Sequence, residues 1–198
     1  AGGVAAALAK FLGIFALTTQ SLSGSIFYML NHGLSTAAMF LVVGFMIRRR
    51  GSADIDAYGG VQKVAPVLAG VLLTSGLTAL ALPGMGSFVS EFLVMAGAWG
   101  RYPVHTAIIT LGTVLAAVYV MRMYLRTMTG PVTEQVSTHV TTDLTSREKA
   151  VIAPLLILLI VFGFFPKPVQ AVADQAATQV MSIVGAVDPA PQVQEGNR

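Results

Sequence analysis

Long stretches without charge constrain this chain more than any motif does. Lys10 and Arg48 are separated by 37 residues that include no Asp, Glu, Lys or Arg, and the run from Val64 to Ser90 is likewise free of them. About 20 apolar residues suffice to carry a helix across the roughly 30 Å hydrocarbon core of a bilayer, so runs of this length read as membrane helices. Composition agrees: 55% of the residues are hydrophobic, 11% are charged and the mean hydropathy is +0.74. The fold class that follows is an all-α integral membrane protein.

Several functions are excluded at once. The chain has no cysteine, so disulfides, thiolate metal sites and cysteine nucleophiles drop out. Its net charge of +3 comes from basic residues scattered at segment ends, with no basic stripe interleaved with aromatics, which argues against nucleic-acid binding. No glycine-rich phosphate loop and no Ser-His-Asp arrangement is present. The chain opens on Ala1-Gly2-Gly3 without an initiator Met or a charged signal-peptide start, which reads as a segment of something longer.

Charge boundaries and turn residues place the spans at about 4–18, 24–48, 64–99, 103–126 and 148–165, a transmembrane region over 1–168. A surface helix and a polar tail follow over 169–198. The polar patch Thr18-Thr19-Gln20-Ser21, with Ser23-Gly24-Ser25, supplies the first turn. The span 64–99 is too long for one straight crossing at about 1.5 Å per residue. It is expected to break near Pro83–Gly86, because Pro83 removes a backbone donor and Gly84 and Gly86 let the chain bend. Basic residues set the orientation. The loops 48–63 and 122–149 hold Arg48, Arg49, Arg50, Lys63, Arg122, Arg126, Arg147 and Lys149, whereas the other side holds Arg101, Lys167 and Arg198. The positive-inside rule puts the first set in the cytoplasm and the C-terminus opposite, provided 64–99 crosses once.

Glu91 is the acid that follows the break, flanked by apolar residues. A charged side chain at mid-membrane costs roughly 2.5–3.5 kcal/mol on insertion scales, so such acids face protein or a wet cavity and serve a function, or else pair with a base. Non-helical backbone at that depth needs the same surroundings. His32 is the second ionisable group at depth; it can exchange a proton near neutral pH or simply hold helices together. Lys10 is either a partner, a relay member or neither. Ser75 and Thr78 either bond back to their own helix or line water. His105 reads as interfacial and His139 as a loop residue. Neither has the neighbours of a metal site.

Asn31-His32-Gly33-Leu34-Ser35-Thr36-Ala37-Ala38-Met39-Phe40-Leu41, then Tyr58-Gly59-Gly60-Val61, Leu82-Pro83-Gly84 and Phe88-Val89-Ser90-Glu91-Phe92 resemble the antiporter-like subunit M family of bacterial NADH-quinone oxidoreductase, respiratory complex I, homologous to mitochondrial subunit 4. The resemblance covers about Leu12 to Pro168. It implies a fourteen-helix fold with two inverted repeats, each containing a broken helix, of which this chain would hold about the last five helices. It implies proton translocation driven by quinone reduction elsewhere, with His32 as relay histidine and Glu91 as the last protonatable group, at a position where related subunits carry Lys. The implied setting is a bacterial plasma membrane among sister antiporter-like subunits, with NADH, FMN, iron-sulfur clusters and quinone held by partner subunits and no cofactor in this chain. A cation/proton antiporter subunit and a structural membrane subunit are the alternatives. One departure is that the family's histidine in the preceding helix would fall near Ala6. Either residues 1 to about 11, Lys10 included, derive from elsewhere in the protein, or that relay position is missing.

Overall fold

The computed structural model describes residues 2–190, so Arg198 and the last part of the polar tail, 191–198, lie outside the described residues. Among them the chain is helical, without strands. The elements are α1 (Gly2–Phe15), α2 (Thr19–Arg50), a 3₁₀ turn (Ile55–Ala57), α3 (Val61–Val64), α4 (Pro66–Ala79), α5 (Gly86–Trp99), α6 (Pro103–Met128), α7 (Glu134–His139), α8 (Ser146–Phe164) and α9 (Lys167–Val184). By length and composition α2 and α6 can each cross a membrane. α8 and α9 meet at 73° and together make a bent pair, while α1 and α4 are shorter apolar helices.

Helix α2 is the post around which the others stand, packing against α1, α4, α5, α8 and α9. It starts earlier than its serines suggest. The chain turns over Ala16–Thr18 alone, with Leu17 at φ 49°, and Thr18 caps α2 by accepting the Ser21 N–H at 3.1 Å. A hydroxyl one turn ahead of an uncharged run is an N-cap as readily as a turn residue. Ser21, Ser23 and Ser25 then lie buried within the helix. Small residues there let backbones touch: a Cβ on Gly24 would meet Val94 N at 2.7 Å, and one on Gly97 would strike the Ser21 backbone. At its far end α2 closes on Gly51 at φ 75°, whose N–H reaches Ile47 O.

Both ends are tied by polar contacts. Arg49 donates to both carboxylate oxygens of Glu148, at 2.9 and 2.6 Å, and to the carbonyls of Phe45, Thr142 and Asp143. Asp143 accepts the backbone N–H groups of Val67 and Leu68 at the start of α4, and Thr145 and Glu148 form a capping box on α8. Gly60 donates to Thr129 O, and Arg126 pairs with Asp56. The two basic loops therefore share one end of the bundle. Beneath them lies the main apolar core, including Val42, Met46, Tyr58, Leu68, Leu72, Met128, Val136 and Ile152. At the opposite end Thr18 donates to Gly97 O at 3.0 Å, and Arg101 to Leu17 O and Val187 O. Since α4 starts at the first end and α5 finishes at the second, 64–99 passes through the bundle once.

Helix α9 buries Ala173, Ala177 and Met181, the last two clustering with Leu22 of α2, and leaves Val172, Val180 and Ile183 exposed.

Candidate proton-relay site

The break occupies Leu80 to Met85, and it begins before the proline. Leu82 N–H bonds to Leu77 O and Ala81 N–H to Thr78 O, both at 3.2 Å, with Ala81 at φ 51°. That pair of bonds is a Schellman closure, normally made with glycine in the left-handed position. Leu82-Pro83-Gly84-Met85 follows as a tight turn closed by Met85 N–H to Leu82 O at 3.1 Å, with Gly84 at φ 96°. Pro at the second position and a positive-φ Gly at the third are the residues of a type II turn. Pro83 thus shapes the turn, and the helix stops four residues before it.

Serine and asparagine hold the two halves. Ser87 donates to Thr78 O and Thr78 bonds back to Ser75 O at 2.7 Å; Ser75 Oγ has no partner among the described residues. Asn31, fully buried on α2, donates from Nδ2 to Gly86 O at 3.0 Å. On the side of α8, a Cβ on Gly86 would stand 2.9 Å from Phe162 Cβ, and one on Gly163 would collide with Gly84 O.

Just inside α5, Glu91 is 8% exposed. Thr113 of α6 donates to its Oε1 at 2.7 Å. A cavity of about 360 Å³ collects Tyr28, His32, Ser87, Glu91, Thr113 and Tyr119, with Ser35, Thr36 and Thr78 also in its mainly apolar wall. His32 lies edge-on to Tyr28, ring centroids 6.0 Å apart, and its Nε2 is 3.4 Å from Thr36 Oγ1. Lys10 Nζ stands 5.8 Å from the Tyr28 ring centre, within cation–π range. Ser25 donates to Lys10 O, and Gly13 has no room for a Cβ beside Ser25, so α1 is pressed onto α2 where Lys10 sits. His32 and Glu91 therefore share one cavity, and Lys10 adjoins it through Tyr28. A larger cavity of 680 Å³, with Ser23, Asp174 and Asp188 in its wall, lies at the end near Gly97, away from these residues.

Asn31, Tyr28, Thr113 and Ser87 were not singled out from sequence. Tyr28 and Asn31 had a signal: with His32 and Ser35 they repeat at three- and four-residue steps, one face of a helix. Thr113 had none, being an ordinary threonine in an apolar span that meets Glu91 through tertiary packing. His105 and His139 are exposed and lie outside the cavity.

The family described as NADH:quinone oxidoreductase/Mrp antiporter, transmembrane, matches residues 7–116, from Lys10 through His32 and the break to Thr113. NADH-quinone oxidoreductase subunit M of Mycobacterium tuberculosis (strain ATCC 25618 / H37Rv) is 51% identical over 181 residues, covering 91% of this chain and 32% of that protein. Subunit M of Rickettsia felis is 38% identical over 158 residues, 80% of this chain and 32% of the relative. The chain therefore spans about a third of the length of these relatives. Among solved structures, respiratory complex I from Thermus thermophilus with bound NADH superposes with a TM-score of 0.79 at 26% identity, covering 90% of this chain and 37% of the matched chain. The Mrp complex from Dietzia sp. DQ12-45-1b reaches 0.76 over 88% of this chain and 40% of its own at 17% identity, a likeness of fold alone. With a family match over more than half of its residues, the chain belongs to the NADH:quinone oxidoreductase/Mrp antiporter transmembrane family.

Proposed function

We propose that this chain is the distal part of a proton-translocating membrane subunit of a bacterial NADH-quinone oxidoreductase, and that His32 and Glu91 carry its proton. The observation that carries the reading is one cavity at a helix break holding a buried carboxyl, an imidazole and the hydroxyls of Thr113, Tyr28 and Ser87. These are groups that can take, pass and release a proton without any redox step. His32 receives the proton from the side of α1 and α2, and Glu91 takes it across the cavity toward the break. Thr113 orients the Glu91 carboxyl. Lys10 adjoins the path through the Tyr28 ring and is the group whose charge acts on it. Quinone reduction, and the NADH, FMN and iron-sulfur chemistry behind it, belongs on this reading to partner subunits. The basic loops face the cytoplasm.

The reading in which Glu91 serves only as half of an ion pair has less support. Among the described residues the ion pairs are Arg49–Glu148 and Arg126–Asp56, and neither involves Glu91. A cation/proton antiporter subunit is a second reading, favoured by the fold shared with the Mrp complex. It is separated by whether proton flux depends on Na⁺ in the absence of NADH. The test of the main reading is Glu91→Gln in the assembled complex. Fewer protons should be carried per NADH oxidised at normal assembly, and an unchanged ratio refutes the assignment.

A further inference from the structure

Two contacts bracket Glu91 along α5. On the side of Trp99, the Gly24 backbone of α2 touches Leu93 and Val94. On the side of the break, Asn31 reaches Gly86 O and, at 3.4 Å, Ser90 Oγ. The first contact is apolar and sets the separation of the helices; beyond it Thr18, the N-cap of α2, donates to Gly97 O at 3.0 Å and fixes α5 at the Trp99 end. The second is directional. Gly86 O can only accept, which assigns the amide NH₂ to that bond. Oδ1 has no partner among the described residues, and the contact with α5 runs through the donor. Gly86 leaves no slack, since a Cβ there would stand 2.5 Å from Asn31 Oδ1. Asn31 also precedes His32 on α2, so one residue step links the anchor of α5 to the imidazole facing the cavity.

We propose that Asn31 is the positioning residue on the break side of this site, holding that end of α5 against α2 so that the Glu91 carboxyl stays in the cavity it shares with His32. The residue touches neither partner in proton transfer and acts through the backbone of Gly86. This rests on the proposed function for its consequence but not for its geometry. A displacement of about 1 Å in a reacting group can cost roughly a hundredfold in rate. The loss of one amide donor is therefore enough to slow a relay without unfolding the helix.

The experiment uses the assembled complex with Asn31→Leu, which removes the donor at similar size, and Gly86→Ala, which pushes the amide aside while deleting no polar group. Glu91→Gln runs in parallel. Two quantities are read per assembled complex: protons carried per NADH oxidised, and the infrared band of Glu91, isolated by difference from Glu91→Gln. We expect the band to shift in both variants, and proton transport to fall in the same direction as in Glu91→Gln. An unshifted band in a variant that assembles overturns the proposal, as does failure of both to assemble, which would make Asn31 a folding residue. A shifted band together with normal transport in Glu91→Gln would leave the positioning standing and refute the proposed function instead.

Discussion

The contact between Arg49 and Glu148 gives the sharpest test of how this fold is held. Both side chains are more than nine-tenths buried, at 9% and 6% relative exposure, and the carboxylate is gripped by two guanidinium N–H groups. Removing one partner of a buried pair leaves the other charged and unsolvated, a loss of about 3–5 kcal/mol, whereas exchanging both for apolar residues is often close to neutral. The double exchange cannot be neutral here. Arg49 also donates to the part-buried carbonyl of Asp143, and a buried carbonyl stripped of its donor costs about 1–3 kcal/mol. We therefore expect Arg49→Met and Glu148→Leu singly to lower the unfolding free energy by about 3–5 kcal/mol. The double variant should recover part of that loss but stay below the parent by about 1–3 kcal/mol. The assay is a double-mutant cycle by denaturant unfolding of the full-length protein in mixed micelles. Additive single effects, with a coupling below about 0.5 kcal/mol, would refute the reasoning. The contact reaches further than its own loop. It ties α2 to α8 at the basic end, and these two helices grip the break through Asn31 and through Phe162 and Gly163.

Other consequences follow from single positions. Gly163→Ala places a methyl against the Gly84 carbonyl and should cost at least about 1–3 kcal/mol by overpacking, read as reduced assembly; normal assembly would show that the two turns can separate. Ala81→Gly removes a left-handed strain of roughly 1–2 kcal/mol and returns about 0.4–1 kcal/mol through a freer unfolded chain. The net should be neutral to slightly stabilising in the same micelle assay, and a marked loss would mean the Ala81 methyl is packed. Burial raises the Asp143 carboxyl, but the N–H groups of Val67, Leu144 and Leu68 and the charge of Lys149 outweigh it, leaving the group below its ordinary range. A carboxyl lowered on folding contributes stability above its unfolded value and loses it as pH falls through the native one. Hydrogen exchange at Val67 and Leu68 should therefore quicken on acidification below the ordinary carboxylate range, and Asp143→Asn should abolish that dependence.

Much of the architecture was legible because charge is scarce. The uncharged runs hold the long helices and the broken pair, and the excess length of 64–99 announced an interruption. The shared end of the two basic loops was readable by counting, and the structure brings those loops together through Gly60, Thr129 and Arg126. Glu91 and His32 stood out because ionisable groups at depth are rare. Boundaries made by backbone geometry were not readable. The start of α2 depends on whether Thr18 turns the chain or caps a helix, and the same residue type does both. The stop of α4 depends on Ala81 adopting a conformation that Ala seldom takes. Asn31 and Thr113 were hidden for a different reason: their roles exist only once α5 lies between α2 and α6.

The hydrogen bonds at the break limit what can move there. The carbonyls of Leu77 and Thr78, which would be free at the end of α4, accept from Leu82 and Ala81; Thr78 O also receives Ser87, and Gly86 O receives Asn31 and Ser90. Extending or melting either half-helix would expose several of these groups in a setting where backbone polar atoms must find partners within the protein. Each net bond is worth about 0.5–1.5 kcal/mol, and each group left buried without a partner costs about 1–3 kcal/mol. Refolding the break on every cycle would therefore carry a barrier that a proton's change of host does not need. On the proposed function, the break is a fixed frame, and what alternates is the protonation of Glu91 and His32 and the hydroxyl orientation of Thr113 beside them. The consequence is specific: cross-linking α4 to α5 across the turn, by paired cysteines placed outside the cavity at positions whose Cα atoms lie within disulfide reach, should leave proton transport intact. Transport that stops on oxidation and returns on reduction would mean instead that the half-helices move, and the fixed-frame account would fail.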